Sequence, residues 1–229
     1  MSKVDKEYYA GNAMPPVNQI QLSVIALGIT ILAINYISLA TFDSKVLTEV
    51  VFWQRLILLM LVILFSCYTA LVYNAYWHSE RPDNKEKIFP DNPLRIFALF
   101  LIDVFQVAVA AGMFGVLFIP DAFQLQVTGP CRQELTAPGC LGLSGHTVLM
   151  IFSLGALWHG TAVAWYAICD RAGALDVGIH AIFSFVYLAL ALGSHFLGGL
   201  HPWIAAGAFA AVLTALFLVQ GQRWLRKGN

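Results

Sequence analysis

Long apolar runs alternate with short polar segments along the whole chain. A helix needs about 20 apolar residues to cross the hydrocarbon core of a bilayer, and a backbone in lipid must satisfy its own hydrogen bonds, which favours helices. The pattern therefore predicts an all-α, polytopic membrane protein whose six transmembrane helices form one bundle. The predicted spans cover residues 20–42, 52–77, 94–119, 146–168, 177–198 and 203–224.

The composition agrees with a chain whose main solvent is lipid. Hydrophobic residues make up 59% of the chain and charged residues 11%, whereas soluble proteins average about 25% charged residues. Residues 20–224 form the predicted transmembrane domain. Residues 1–19 and 225–229 are too short to build a second domain with its own core. The net charge of zero excludes a strongly basic protein of the nucleic-acid-binding class.

Positive charges are unevenly distributed between the two sets of loops. Lysines and arginines concentrate before helix 1, between helices 2 and 3, between helices 4 and 5 and after helix 6, while the alternate loops hold only Lys45, Arg55 and Arg132. By the positive-inside rule, both termini are predicted to face the cytoplasm (N-in/C-in), with residues 120–145 on the outer side. The start of the chain lacks the pattern of a cleaved signal peptide, and we expect a bacterial inner (plasma) membrane.

The long loop between helices 3 and 4 contains two cysteines, Cys131 and Cys140, in the segment CRQELTAPGC. On the outer side of the membrane this loop faces an oxidising compartment, where such pairs form disulfides. We therefore predict a disulfide between Cys131 and Cys140, with two free surface thiols as the alternative.

Helices 4 and 5 each carry two histidines, one near each end. The short loop between these helices makes them antiparallel neighbours. His146 is therefore predicted to lie level with His195 near the outer face, and His159 level with His180 near the inner face. At 1.5 Å per residue, the two levels are about 20 Å apart. Neutral imidazole is a good axial ligand for haem iron, and this spacing is similar to that of the two stacked haems in membrane b-type cytochromes.

The first functional hypothesis is therefore a membrane electron carrier that holds one or two haem b groups between helices 4 and 5. Small residues of both helices leave room for a flat macrocycle, but they also serve ordinary helix packing in lipid. The angular positions of the histidines favour the haem hypothesis on helix 5 and weaken it on helix 4. At 100° per residue, His180 and His195 lie about 60° apart, whereas His146 and His159 lie about 140° apart. Interhelical hydrogen bonding is the alternative role for these histidines.

Motifs of soluble enzymes are absent from the sequence. It contains no phosphate-binding glycine loop with lysine, no Gly-x-Ser-x-Gly and no Cys-x-x-Cys. No His-x-x-x-His and no Glu-x-x-His pattern occurs in the sequence, so no metal site is predicted beyond the haem iron. If the chain takes part in an enzyme, we expect it to be a redox subunit without a catalytic site of its own.

Asp103 is the one acid well inside a predicted span, and Gln106 lies one helical turn further on. Ionisable residues at membrane depth are costly and mark ion or proton paths. Asp103 is predicted to lie at about the depth of His159 and His180. There it can relay protons, bind a cation or fix the tautomer of a histidine. An interhelical hydrogen bond is the structural alternative.

These features leave two further hypotheses beside the electron carrier, for which quinone is a natural partner. One is a small ion or proton channel or transporter in which Asp103 lines the path and the histidines titrate. The other is a non-catalytic integral subunit of a larger membrane complex. In each case the chain is expected to lie in a lipid bilayer as an oligomer or as part of a complex. The substrate and the partner subunits are left open by the sequence.

Overall fold

The computed structural model of the protein is all-helical in the residues that it describes, which are 14–42, 44–77, 92–118, 145–168, 174–197 and 200–227. No β-strand occurs in these ranges. The first helix, α1, joins an α-helical segment Met14–Ile31, a π-helical turn Leu32–Ile37 and a short α-helical segment Ser38–Phe42. A 3₁₀ turn at Ser44–Thr48 leads into α2 (Val50–Trp77). The remaining long helices are α3 (Pro93–Leu117), α4 (Gly145–Ile168), α5 (Ala174–Phe196) and α6 (Pro202–Lys227).

Each of these six helices is long and apolar enough to cross a membrane. The qualifying stretches contain 18 to 24 residues, or about 27–36 Å at 1.5 Å per residue, and the hydrocarbon core is about 30 Å thick. Large apolar side chains also cover the outward faces. On α5, for example, Ile182, Phe185 and Phe196 are 63%, 72% and 79% exposed. The predicted helical class is thus confirmed for the described residues, and their six helices long and apolar enough to cross a membrane indicate an integral membrane protein.

α4 and α5 form the most extensively packed pair of helices. A Cβ atom placed on Gly155 would come within 2.8 Å of the Tyr187 ring, so this approach requires glycine. Next to it, Ser184 Oγ donates a hydrogen bond of 2.9 Å to the carbonyl oxygen of Ala156 across the interface. Small residues allow helices in lipid to approach closely, and here they hold α4 and α5 in direct contact.

An aromatic cluster joins α2, α4, α5 and α6. The ring of Phe65 lies 6.4 Å from that of Tyr187 and 6.2 Å from that of Phe209, centroid to centroid. Phe152 contacts the same two rings at 6.3 and 6.4 Å. These four side chains belong to a buried hydrophobic cluster with members from all six helices. Aromatic pairs of this kind add about 0.5–1.5 kcal/mol each beyond their area burial.

The π-helical turn Leu32–Ile37 contains two buried polar residues, Asn35 and Tyr36. Tyr36 Oη donates a hydrogen bond of 3.2 Å to the carbonyl oxygen of Leu117, and Arg55 Nη1 of α2 donates to the same oxygen at 3.4 Å. Leu117 ends α3, where the last carbonyls have no intrahelical partner. Arg55, which the sequence places among the loop charges, is buried and links α2 to the end of α3.

The predicted disulfide lies outside the described residues, because Cys131 and Cys140 fall in the range 119–144. The same is true of most of the loop 120–145 to which they belong. Cys67 of α2, which is described, is a free thiol.

Candidate functional site

His159 of α4 and His180 of α5 face each other inside the protein. Their Nδ1 atoms are 3.0 Å apart, and the two side chains are 0% and 1% exposed. A hydrogen bond between two ring nitrogens requires that one donates and the other accepts. When both rings are neutral, one therefore carries its proton on Nδ1 and the other carries its proton on Nε2. We call these two residues the histidine pair.

Aromatic rings enclose the histidine pair. Tyr187 and Phe183 stack on His159 at centroid distances of 5.5 and 5.6 Å, and Tyr166 stacks on His180 at 5.1 Å. The edge of Trp158 contacts the His159 ring at 5.0 Å. His159 Nε2 has no hydrogen-bond partner among the described residues. The Nδ1–Nδ1 hydrogen bond of the pair is therefore buried among aromatic rings.

The arrangement of α4 and α5 does not fit a haem between His159 and His180. A bis-histidine haem lies between its two ligand rings, whereas these rings are joined directly through Nδ1 at 3.0 Å. The contact of Gly155 with Tyr187 also keeps the two helices together. The haem hypothesis stays a prediction, and it requires α4 and α5 to separate by the thickness of a macrocycle.

In the second predicted pair of histidines, His146 and His195, the structure describes the side chain of His195 alone. His195 lies in the last turn of α5, where its side chain is exposed and its ring contacts Phe196 at 5.3 Å. His146 lies in the first turn of α4, and its side chain is outside the described part of the chain. The structure thus brings together His159 and His180 of the four predicted residues.

Asp103 and Gln106 lie on the buried face of α3. They are 2% and 8% exposed, and the buried residues Val107 and Ala110 continue the same face. Asp103 makes interactions with its protein neighbours. A carboxyl group at this depth is therefore held by the protein and shielded from lipid, as ionisable groups in spans must be.

A small polar cavity lies between Gln106 and the histidine pair. Gln21 of α1, Ser66 and Thr69 of α2 and Gln106 of α3 line it, and Trp158 of α4 forms part of its wall. Its volume is about 10 Å³. Trp158 also contacts the rings of both histidines, so one indole separates this polar cavity from the histidine pair.

Sequence reasoning missed three of the cavity residues. Gln21, Ser66 and Thr69 stand in or beside apolar runs, where isolated polar residues are common. The spacing of Ser66 and Thr69 places them on one helical face, which was the available signal. Their proximity to Gln106 depends on how α1, α2 and α3 pack.

Among the described residues, no group of three or more His, Cys, Asp or Glu side chains is placed to hold a metal ion. The arrangement instead combines a buried carboxyl group, a polar cavity and two hydrogen-bonded imidazoles, which are groups that accept and donate protons. No protein-family model, no curated protein and no solved structure matches the chain, so the function is argued from these residues.

Proposed function

We propose that the chain is a small membrane transporter for protons, in which Asp103, Gln106 and the histidine pair hold and pass the proton. The observation that carries this proposal is the 3.0 Å contact between the Nδ1 atoms of His159 and His180 inside two spans. Ionisable groups are rare in spans and mark proton relays. Imidazole both accepts and donates protons near physiological pH.

The histidine pair supports a simple relay. A proton arrives at Nε2 of the ring that carries hydrogen on Nδ1. That ring passes its Nδ1 proton to Nδ1 of the partner, and the partner releases the proton on its own Nε2. One proton enters and one leaves, and both rings are neutral again. His159 Nε2 has no hydrogen-bond partner among the described residues, so this atom is open to accept or release a proton.

In this proposal the six helices form one bundle in a bacterial inner membrane, with both termini in the cytoplasm. The support is the excess of lysine and arginine in the termini and in the loops between helices 2 and 3 and between helices 4 and 5. The histidine pair, Asp103 and the polar cavity then lie in the cytoplasmic half, and residues 120–145 lie outside.

The test is proton flux into liposomes that contain the purified protein and an internal pH-sensitive dye. Asp103→Asn and His180→Gln are expected to lower the flux about tenfold or more, which corresponds to ~1.4 kcal/mol of barrier. His201→Gln is the matched control, because His201 is exposed just before α6. If the wild-type protein moves no protons with the pH gradient in either direction, the proposal is wrong.

A membrane electron carrier with haem b is the second candidate. His159 and His180 lie opposite each other on neighbouring helices, as two axial ligands would, but their direct contact means that the rings must separate before they hold a haem. His146 and His195 would hold the second haem, and quinone would be the redox partner. An absorption spectrum of protein expressed with ample haem, before and after reduction by a quinol, decides this candidate. Sharp bands that weaken in His180→Ala support it, and a colourless folded protein excludes it.

A further inference from the structure

Two buried oxygen atoms of the polar cavity have no hydrogen-bond partner in the described ranges. They are Ser66 Oγ and Gln21 Oε1. Ser66 is 3% exposed, and its hydroxyl group can donate and accept, whereas the amide oxygen of Gln21 only accepts. An unpaired buried polar group costs about 1–3 kcal/mol. Both atoms are therefore suited to a ligand inside the cavity that can donate a hydrogen bond.

The size and the charge of the cavity restrict this ligand. Its volume of about 10 Å³ is close to the roughly 10–15 Å³ that a single water molecule requires. Its lining consists of amides, hydroxyl groups and apolar side chains, with no formal charge. A desolvated metal cation is strongly disfavoured without a charged partner, and an apolar ligand would leave both oxygen atoms unpaired.

We propose that this cavity binds one water molecule, which donates to Gln21 Oε1, is hydrogen-bonded to Ser66 Oγ and delivers protons towards Asp103. Buried waters make about three hydrogen bonds, and Gln106 also lines the cavity. The delivery of protons rests on the proposed function, whereas the binding of water does not.

The positions of Gln21 and Gln106 give the water this role. Gln21 lines the cavity from the first half of α1 and is half-buried. Gln106 is one turn from Asp103 on α3. Thr69 Oγ1 donates a 2.8 Å hydrogen bond to the Ser66 carbonyl oxygen, which leaves its lone pairs free to accept from the water. A proton that reaches the water can leave by another of its O–H bonds, so charge and atoms balance.

The binding of water is tested by a structure determined at a resolution that shows ordered solvent. The protein is prepared once in sodium chloride and once with choline as the only added cation. We expect one density peak within hydrogen-bond distance of Ser66 Oγ and Gln21 Oε1 in both preparations. The peak should vanish in Ser66→Val, whose larger apolar side chain fills the cavity. An empty wild-type cavity, or a peak that requires sodium, would overturn the proposal.

The delivery of protons is tested by flux through the same variants in liposomes. Ser66→Val and Ser66→Ala are both expected to lower the flux about tenfold; the alanine variant keeps the space and removes the hydroxyl group, should the valine variant fail to fold. Ser23→Val is the control, because Ser23 is exposed and bonds within α1. Unchanged flux after loss of the water would overturn its role in delivery. Wild-type protein without flux would refute both proton delivery by the water and the proposed function. The density in the cavity would still show whether the water binds.

Discussion

At the scale of single residues, the histidine pair is the feature that most constrains what the protein can do. His159 and His180 are each enclosed by apolar rings and joined to each other by one hydrogen bond. In such surroundings a hydrogen bond is strong, and a polar group that loses its partner is costly. The two residues should therefore behave as a unit in stability and, in the proposed transporter, in proton transfer.

Replacement of either histidine by phenylalanine should show this coupling. His159→Phe and His180→Phe are each expected to lower the free energy of unfolding by about 1–3 kcal/mol, because each leaves a buried ring nitrogen unpaired. The double variant should recover most of that loss, because both polar groups are removed and phenylalanine fits among aromatic rings. Unfolding of the four proteins in mixed micelles measures the coupling. A double variant as unstable as the sum of the two single variants would show that the pair is not coupled.

At the scale of helices, the close contact between α4 and α5 aligns the histidine pair. Gly155 lies one turn before His159 and packs on Tyr187, whose ring also stacks on His159. Any side chain at position 155 therefore pushes on the ring that holds His159 in place. A change in the packing of α4 against α5 is therefore expected to change the position of the His159 ring as well.

Gly155→Ala tests that link. Its Cβ would lie 2.8 Å from the Tyr187 ring, and overpacking of this kind costs about 1–3 kcal/mol of stability. Proton flux should fall as well, because the Tyr187 ring must shift against His159. Gly178→Ala in α5 is the matched control, since its Cβ meets nothing within 4 Å, and alanine in a helix is favoured over glycine by up to about 1 kcal/mol. Equal stability of the two variants would contradict the tight interface.

The sequence predicts the helices and the pairing of His159 with His180, and physical reasons explain why it predicts little more. An apolar run long enough to cross the membrane must be helical, because only its own backbone can satisfy its hydrogen bonds. A short connection between two such helices makes them antiparallel, which places His159 level with His180. The π-helical turn at Leu32–Ile37 and the burial of Arg55 depend on packing against α3. No local pattern in α1 or α2 contains that information.

At the scale of the whole molecule, the polar groups of the proposed path occupy one half of the helices. Beyond the histidine pair, the aromatic cluster of Phe65, Phe152, Tyr187 and Phe209 fills the interior of the described structure. The rings of Phe65 and Tyr187 in this cluster contact the His159 ring, so apolar side chains close this side of the histidine pair. In the proposed transporter, a proton that reaches the histidine pair therefore needs a rearrangement of the helices to leave on the other side, as in alternating access.

Because the aromatic cluster closes one side of the histidine pair, we predict a carrier and not an open channel. Wild-type protein in a planar bilayer should give no discrete single-channel openings, because each proton requires a movement of helices on the microsecond-to-millisecond scale or slower. Flux in liposomes should still follow the pH gradient. Phe152→Ala, which opens space in the aromatic cluster, is expected to increase the leak, and Phe185→Ala on the exposed face of α5 is its control. Unitary currents in the wild type would contradict a carrier.

The direction of the path depends on the orientation of the chain, which reporter fusions measure directly. Alkaline phosphatase is active only outside the cytoplasmic membrane, whereas green fluorescent protein fused to a membrane protein fluoresces only on the cytoplasmic side. Fusions after residue 229 should therefore fluoresce and lack phosphatase activity, because the positive charges concentrate at the termini, between helices 2 and 3 and between helices 4 and 5. Fusions within residues 120–145 should show phosphatase activity and no fluorescence. In the unfused protein, a thiol reagent should label Cys131 and Cys140 only after reduction, because we predict a disulfide between them. The opposite pattern would place Gln21 and the polar cavity at the outer face, so that protons would enter from outside.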